Sequence, residues 1–176
     1  PEVSKMLKRW EKIRDVLDGE EAVKAAGTAY LPMPNASDTS KENIKRYDDY
    51  KFRATFYNAA GRTLTGLVGQ AFSIPPSWKL PQALEPMVDD IDGNGVSFES
   101  ALRKATSLVV GFGRTGLLTD YPKTDGKPVT RAEQDSGEIR PSIIQYSPAS
   151  IINYRTRRVG TKMKLCLVVL SEQGVD

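Results

Sequence analysis

The stretch Gly111-Phe112-Gly113-Arg114-Thr115-Gly116, GFGRTG, matches the template G-x-G-x-x-G letter for letter. In a dinucleotide-binding fold those glycines leave a strand, turn tightly and hand a pyrophosphate to the N-terminus of the next helix. The order of the elements around the motif therefore decides what it is. Upstream, FESALRKATSLVV has helical spacing, and Ser97 stands where an N-cap belongs. Downstream, LLTDYP reads as a short strand ended by Pro122. The glycines thus leave a helix and enter a strand, the reverse of the nucleotide order, and no cofactor is expected here. Gly111 or Gly113 is instead the expected left-handed helix terminus.

Working back from the motif, Val3, Met6, Leu7, Trp10, Ile13, Val16 and Leu17 recur at helical spacing until Gly19, and EEAVKAAG predicts a second, short helix. YLPMPN is a loop, and the polar SDTSKEN is expected to be a mobile connection. Helical patterning resumes from Lys41 to Phe72, where Gly61 is the expected break between two helices. IPPSWKLP is a proline-fixed link, and Leu84, Met87, Val88 and Ile91 predict one more short helix before DDIDGNG. Forward of the motif, KTDGKPVTRAEQDSGE is polar enough for an exposed, flexible loop over 123–138. IRPSIIQYSP is extended, and SIINYRTRR and KMKLCLVVL form a hairpin around VGT.

The expected fold class is therefore α+β. Residues 1–35 supply N-terminal helices and a loop, 36–112 a helical part, and 113–176 a β-rich part with a small mixed or antiparallel sheet built from the LLTDYP strand and the hairpin. The whole reads as one α+β region. A start at Pro1 and an end just past an apolar run suggest a fragment of a longer chain.

Composition narrows the chemistry. With no His and one Cys among 176 residues, Ser-His-Asp, Cys-His and thiolate–zinc sites within this chain are excluded. Cys166, inside LCLVVL, reads as a buried structural thiol. No apolar run approaches the roughly 20 residues of a membrane span. The net charge of +3 is too small to define a nucleic-acid binder without a clustered distribution.

Four groupings remain. Asp90, Asp92, Asn94 and Gly95 fit the first half of an EF-hand loop, but the twelfth position, which needs a bidentate Glu, falls on Ala101. A turn is the simpler reading, and no metal site is assigned. Asp120, Asp125 and Lys127 loosely resemble a metal-dependent nuclease site and carry the rival, enzymatic reading. Arg155, Arg157, Arg158, Lys162 and Lys164 lie in a segment, Ile151 to Leu170, that has no Asp or Glu. They suit a nucleic-acid contact, a subunit contact or a solvated edge hairpin. Tyr47, Tyr50, Phe56 and Tyr57, with Phe52 and Arg53 among them, form either a stacking platform or core and subunit-interface packing.

Taken in order, RYDDYKFRATFYNAAGRTLTGLVGQAFSIPP, DDIDGNGVSFESALRKATSLVVGFGRTGLLTDYP and IRPSIIQYSPASIINYR resemble the N-terminal, wing part of a tailed-bacteriophage portal protein of the podovirus-like branch. The likeness runs from about Lys41 to Ser171 and rests on the order and spacing of the motifs. Thr115 and Thr119 depart from the valines common at those positions. The resemblance implies a non-enzymatic homo-oligomeric ring of about twelve subunits at one capsid vertex, assembled in the host cytoplasm and carried in the virion. It implies double-stranded DNA, contacted without sequence preference, and the terminase, capsid or scaffolding, and tail adaptor proteins as partners. No catalytic residues transfer, and most of the present residues would lie away from the channel.

Overall fold

The computed structural model describes residues 2–122, 130, 132 and 139–172. Among these, five α-helices precede four strands: α1 Glu2–Asp18, α2 Glu20–Ala25, α3 Lys41–Arg53, α4 Ala59–Ala71, α5 Phe98–Phe112, β1 Gly116–Asp120, β2 Ser142–Tyr146, β3 Ile151–Val159 and β4 Lys162–Leu170. This is an α+β fold with its strands in the C-terminal part. The chain divides into two compact units, Pro1–Leu67 and Val68–Asp176, so the change from helix to strand falls inside the second.

In the first unit the buried apolar residues are Val3 and Trp10 of α1 and Val23 of α2. Gly19, at φ +95°, turns the chain between the two helices in a conformation that a side chain would resist. Polar stitches then organise the following loop. Tyr30 Oη donates to Asp15 at 2.7 Å, and Tyr47 Oη donates to the Leu31 carbonyl at 2.8 Å. The SDTSKEN segment, expected to be mobile, is hydrogen-bonded to the helix it precedes. Ser40 caps α3 by accepting from the Asn43 amide, and the buried Asn43 side chain donates to the carbonyls of Asn35 and Asp38 at 2.8 and 2.7 Å. A buried amide satisfied twice within eight residues holds a loop that composition alone marks as loose.

The helical stretch from Lys41 to Phe72 breaks at Ala54–Asn58 rather than at Gly61. Asn58 is the reason. Its Oδ1 accepts from the Gly61 amide at 2.7 Å, an N-cap, while its Nδ2 donates to the Leu17 carbonyl at 2.9 Å. Gly61 lies in the first turn of α4 because a Cβ there would come within 2.7 Å of the Asn58 side chain.

In the second unit, Trp78 meets Phe98 edge to face at 4.5 Å, and the Arg103 guanidinium lies over the Phe72 ring. The short helix expected before DDIDGNG is a 3-10 segment, Gln82–Val88, that ends before Ile91. Pro86 inside it has no amide hydrogen to give an α-type bond. Ser97 caps α5 by accepting from Ser100 N, as its position predicts. The strands form two antiparallel pairs instead of the single sheet expected. β1 pairs with β2, from Gly116 opposite Tyr146 to Asp120 opposite Ser142, and β3 pairs with β4. On its other side β2 receives the Asp90–Val96 turn, through Ile143 N donating to the Ile91 carbonyl at 2.9 Å. The loop expected over 123–138 lies almost wholly outside the described residues.

Asn58→Ala removes both the α4 cap and the tie to Leu17. It is expected to lower stability by about 1 kcal/mol or more, read as a lower urea midpoint at unchanged m. An unchanged midpoint means that α4 does not depend on this cap.

Candidate functional site

Each residue of GRTG has a structural task at the end of α5. Gly113 takes φ +84° as the left-handed C-cap, and its amide donates to Val109 O. The Arg114 Nη2 donates to the carbonyls of Pro148 and Ile151, both at 2.9 Å, and its guanidinium lies 5.8 Å from the Tyr154 ring centroid. Desolvation by burial pulls the Arg114 pKa below the ordinary arginine value, against the favourable effect of Tyr154. Thr115 Oγ1 donates to Tyr146 O at 3.0 Å. Gly116 leaves the room needed by Ile151, whose Cδ1 would lie 3.0 Å from an added Cβ. The motif is thus a latch between the helix end and the corner joining β2 to β3. Its glycines stand at a helix C-terminus, where carbonyls rather than amides are exposed.

That latch anchors the β3–β4 hairpin. A two-residue turn, Gly160–Thr161, with Gly160 at φ +62°, joins the strands as a tight hairpin requires. The register places Val159 opposite Lys162, Arg157 opposite Lys164, and Arg155 opposite Leu167. Directly opposed residues share a face, so Arg155, Arg157, Lys162 and Lys164 gather on one side with Leu167 and Val169 beside them. Arg158 falls on the other side, opposite Met163, and its Nε donates to Gly160 O at 3.1 Å within the turn. Four of the five predicted cations therefore form one surface, and the fifth braces the turn. Two register shifts accompany this arrangement, with Ile152 and Cys166 as the extra residues.

The cationic side carries an electrostatic penalty. Arg157 and Lys164 are like charges placed directly opposite each other, which destabilises a strand pair. The salt bridges among the described residues engage Lys24, Lys51, Arg103 and Arg140, none of them in the hairpin. Every residue from Tyr154 to Val169 is exposed, including Met163 at 64% and Leu165 at 60%. The opposite side of the hairpin root lines an apolar groove of about 510 Å³ with Leu117 and Leu118 of β1, Tyr154, Leu165 and Val168.

The other sequence candidates resolve differently. In the DIDG turn, Asp90 Oδ1 accepts from the amides of Gly93 and Gly95 at 2.8 and 3.0 Å, and Asp92 Oδ1 accepts from Asn94 and Val96. Arg140 closes on Asp90 through both its carboxylate and its carbonyl. These carboxylates hold a turn, and among the described residues no group of three acidic or thiol side chains converges as a metal site would require. Partial desolvation pushes the Asp90 carboxyl up, but the amides of Gly95 and Gly93 and the charge of Arg140 outweigh it and hold the group below the usual carboxylate range. Asp120 ends β1, and its Oδ1 accepts from Tyr121 N; Asp125 and Lys127 lie outside the described residues. Tyr47 and Phe56 are half-buried, whereas Tyr50 and Tyr57 are exposed, Tyr57 at 71% with Arg62 against its ring and hydroxyl. Phe52, at 84%, is more exposed still. Cys166 is exposed rather than buried, because neither face of the hairpin is covered where the bulge sets it; its Sγ donates to Arg155 O at 3.3 Å.

The partners that the motifs hide, Arg114 with its two carbonyls and Arg140 with Asp90, are contacts across 34 or more residues that no local pattern signals. No protein-family model matches the chain, and a search of curated proteins likewise finds no match. No helix among the described residues is long and apolar enough to cross a membrane.

Two outcomes follow from this geometry. Gly116→Ala forces Ile151 or Tyr146 aside and is expected to cost roughly 1–3 kcal/mol, read by urea unfolding; an unchanged midpoint would mean that the latch has slack. Because the folded pKa of Asp90 is depressed, its contribution is complete above the unfolded carboxyl value of about 4 and is lost as the pH falls from there through the lower folded value. Thermal unfolding of Asp90→Asn should therefore trail the parent at neutral pH and converge with it in acid. A gap that persists unchanged into acid would assign the loss to something other than the carboxylate's charge.

Proposed function

We propose that this protein is a structural subunit of a tailed-phage portal ring, which forms the conduit for double-stranded DNA during packaging and ejection and the surface on which terminase and tail adaptor proteins dock. The observation that carries the reading is the hairpin. A two-stranded ribbon is at best marginally stable in water, and this one leaves both faces exposed while opposing two like charges at its tip. Such an element makes physical sense when a neighbouring surface covers it. In the second unit few apolar residues are buried among those described: Ile91, Tyr146, Pro148 and Ile151. Many large apolar side chains are exposed, among them Tyr154, Met163, Leu165, Leu167 and Val168 of the hairpin.

The motif order of the portal resemblance supports the same reading. Its GRTG and DIDG segments act as structural fastenings here, as suits a chain that contributes shape and contact surface to an assembly. A conduit for DNA of every sequence must not read base edges, so phosphate attraction without base readout is the form of contact the function calls for. Heterologous contacts between identical subunits close into a ring when the rotation between neighbours closes.

Negative-stain imaging of the intact protein tests the proposal. Annular particles with a central hole are expected. Monodisperse monomers at every concentration, binding duplex DNA as single copies, would replace the ring with a small nucleic-acid-binding module.

A further inference from the structure

The chain carries two charge blocks of opposite sign. Ile151–Leu170 holds five cations and no acid, whereas residues 80–102 hold five acids, Glu85, Asp89, Asp90, Asp92 and Glu99, and no cation. We infer that the cationic face of the β3–β4 hairpin docks on the acidic stretch 80–102 of a second copy of this chain, forming the head-to-tail contact of the ring. The inference rests on the ring reading and names the surfaces that would build it.

One observation calls for an anionic partner, and two more favour a second copy in that role. The hairpin has an unmet need for countercharge, since Arg157 opposes Lys164 and no salt bridge among the described residues reaches either. The face is mixed, with Leu167 at 41% and Val169 at 38% exposure on the same side as Arg155 and Arg157. A duplex backbone would answer the charges and leave those apolar groups wet, while a protein surface covers both. The acidic stretch offers that mixture, because Glu85 and Asp89 are exposed, with Met87 and Val88 half-buried between them and Leu84 half-buried beside Glu85.

Docking face and docking site are different surfaces of one chain. Each copy that inserts its hairpin into a neighbour keeps its own acidic stretch open for the next, so the contact propagates instead of closing as a pair. Within each copy, Arg140 on Asp90 and Arg103 on Glu99 steady the acidic block without consuming Glu85 or Asp89. Opposed charge blocks also steer like chains into one orientation, and they disfavour hairpin-to-hairpin pairing through repulsion.

The test is a charge exchange in the intact protein, with assembly followed by mass photometry and folding by circular dichroism. One variant carries Arg155→Glu and Arg157→Glu, and a second carries Glu85→Lys and Asp89→Lys. Each alone should lose assembly by about tenfold or more. A one-to-one mixture should assemble again, because each reversed hairpin then meets a reversed stretch, and this recovery shows that both variants are folded. Combining all four substitutions in one chain should likewise restore assembly. Should the parent assemble and the hairpin variant assemble equally well, the inference is overturned while the ring reading stands. Loss of binding to a 30-bp duplex with assembly intact would overturn it too, assigning the face to DNA. A parent that never assembles would overturn both readings. Failure of the mixture and of the fourfold variant to assemble also contradicts the pairing.

Discussion

The second unit is organised by one guanidinium. Arg114 leaves the left-handed end of α5 and binds the carbonyls of Pro148 and Ile151 on either side of the corner that opens β3. In the same few residues Thr115 bonds Tyr146, and Gly116 admits Ile151. A helix end, the β1–β2 pair and the root of the hairpin are thereby fixed to one another by contacts across more than 30 residues of sequence. The hairpin beyond that root has little holding it except its own ladder. Its orientation is inherited from the latch.

This division between a fastened root and an uncovered ribbon is what the proposed role in assembly rests on. The fastenings use up groups that would otherwise invite a chemical reading: the glycines of GFGRTG terminate a helix, and the carboxylates of DIDG hold turn amides. The hairpin keeps an exposed cationic side, and Glu85 and Asp89 stand exposed within 80–102. A surface of that kind recognises by charge and cover, which suits assembly.

Much of this was legible in the sequence where the signal is local. Ser97 announced α5, the glycines announced its end, and a short glycine turn between two β-rich runs announced the hairpin. The misplaced break in the helical stretch came from reading Gly61 as a breaker when the decisive residue was Asn58, a cap three positions earlier. The partner of β1 was not legible, because pairing with Ser142–Tyr146 spans a long polar stretch that carries no local signal of it. Hydropathy of LCLVVL predicted burial for Cys166, yet burial needs a second layer, and a two-stranded ribbon supplies none. For the site, the five cations were visible as a block. Their division into a face of four and a turn brace required the register, which the two-residue turn fixes at the tip and the bulges alter toward the root.

A ring subunit of the proposed kind would have its hairpin covered in the working state. Amide hydrogen exchange over Tyr154–Val169, compared between assembled and salt-dissociated protein, tests it directly. Strong protection of these amides in the assembly and rapid exchange in the dissociated chain are expected. Equal, rapid exchange in both states would show that the ribbon stays bare in the assembly and is not a subunit contact.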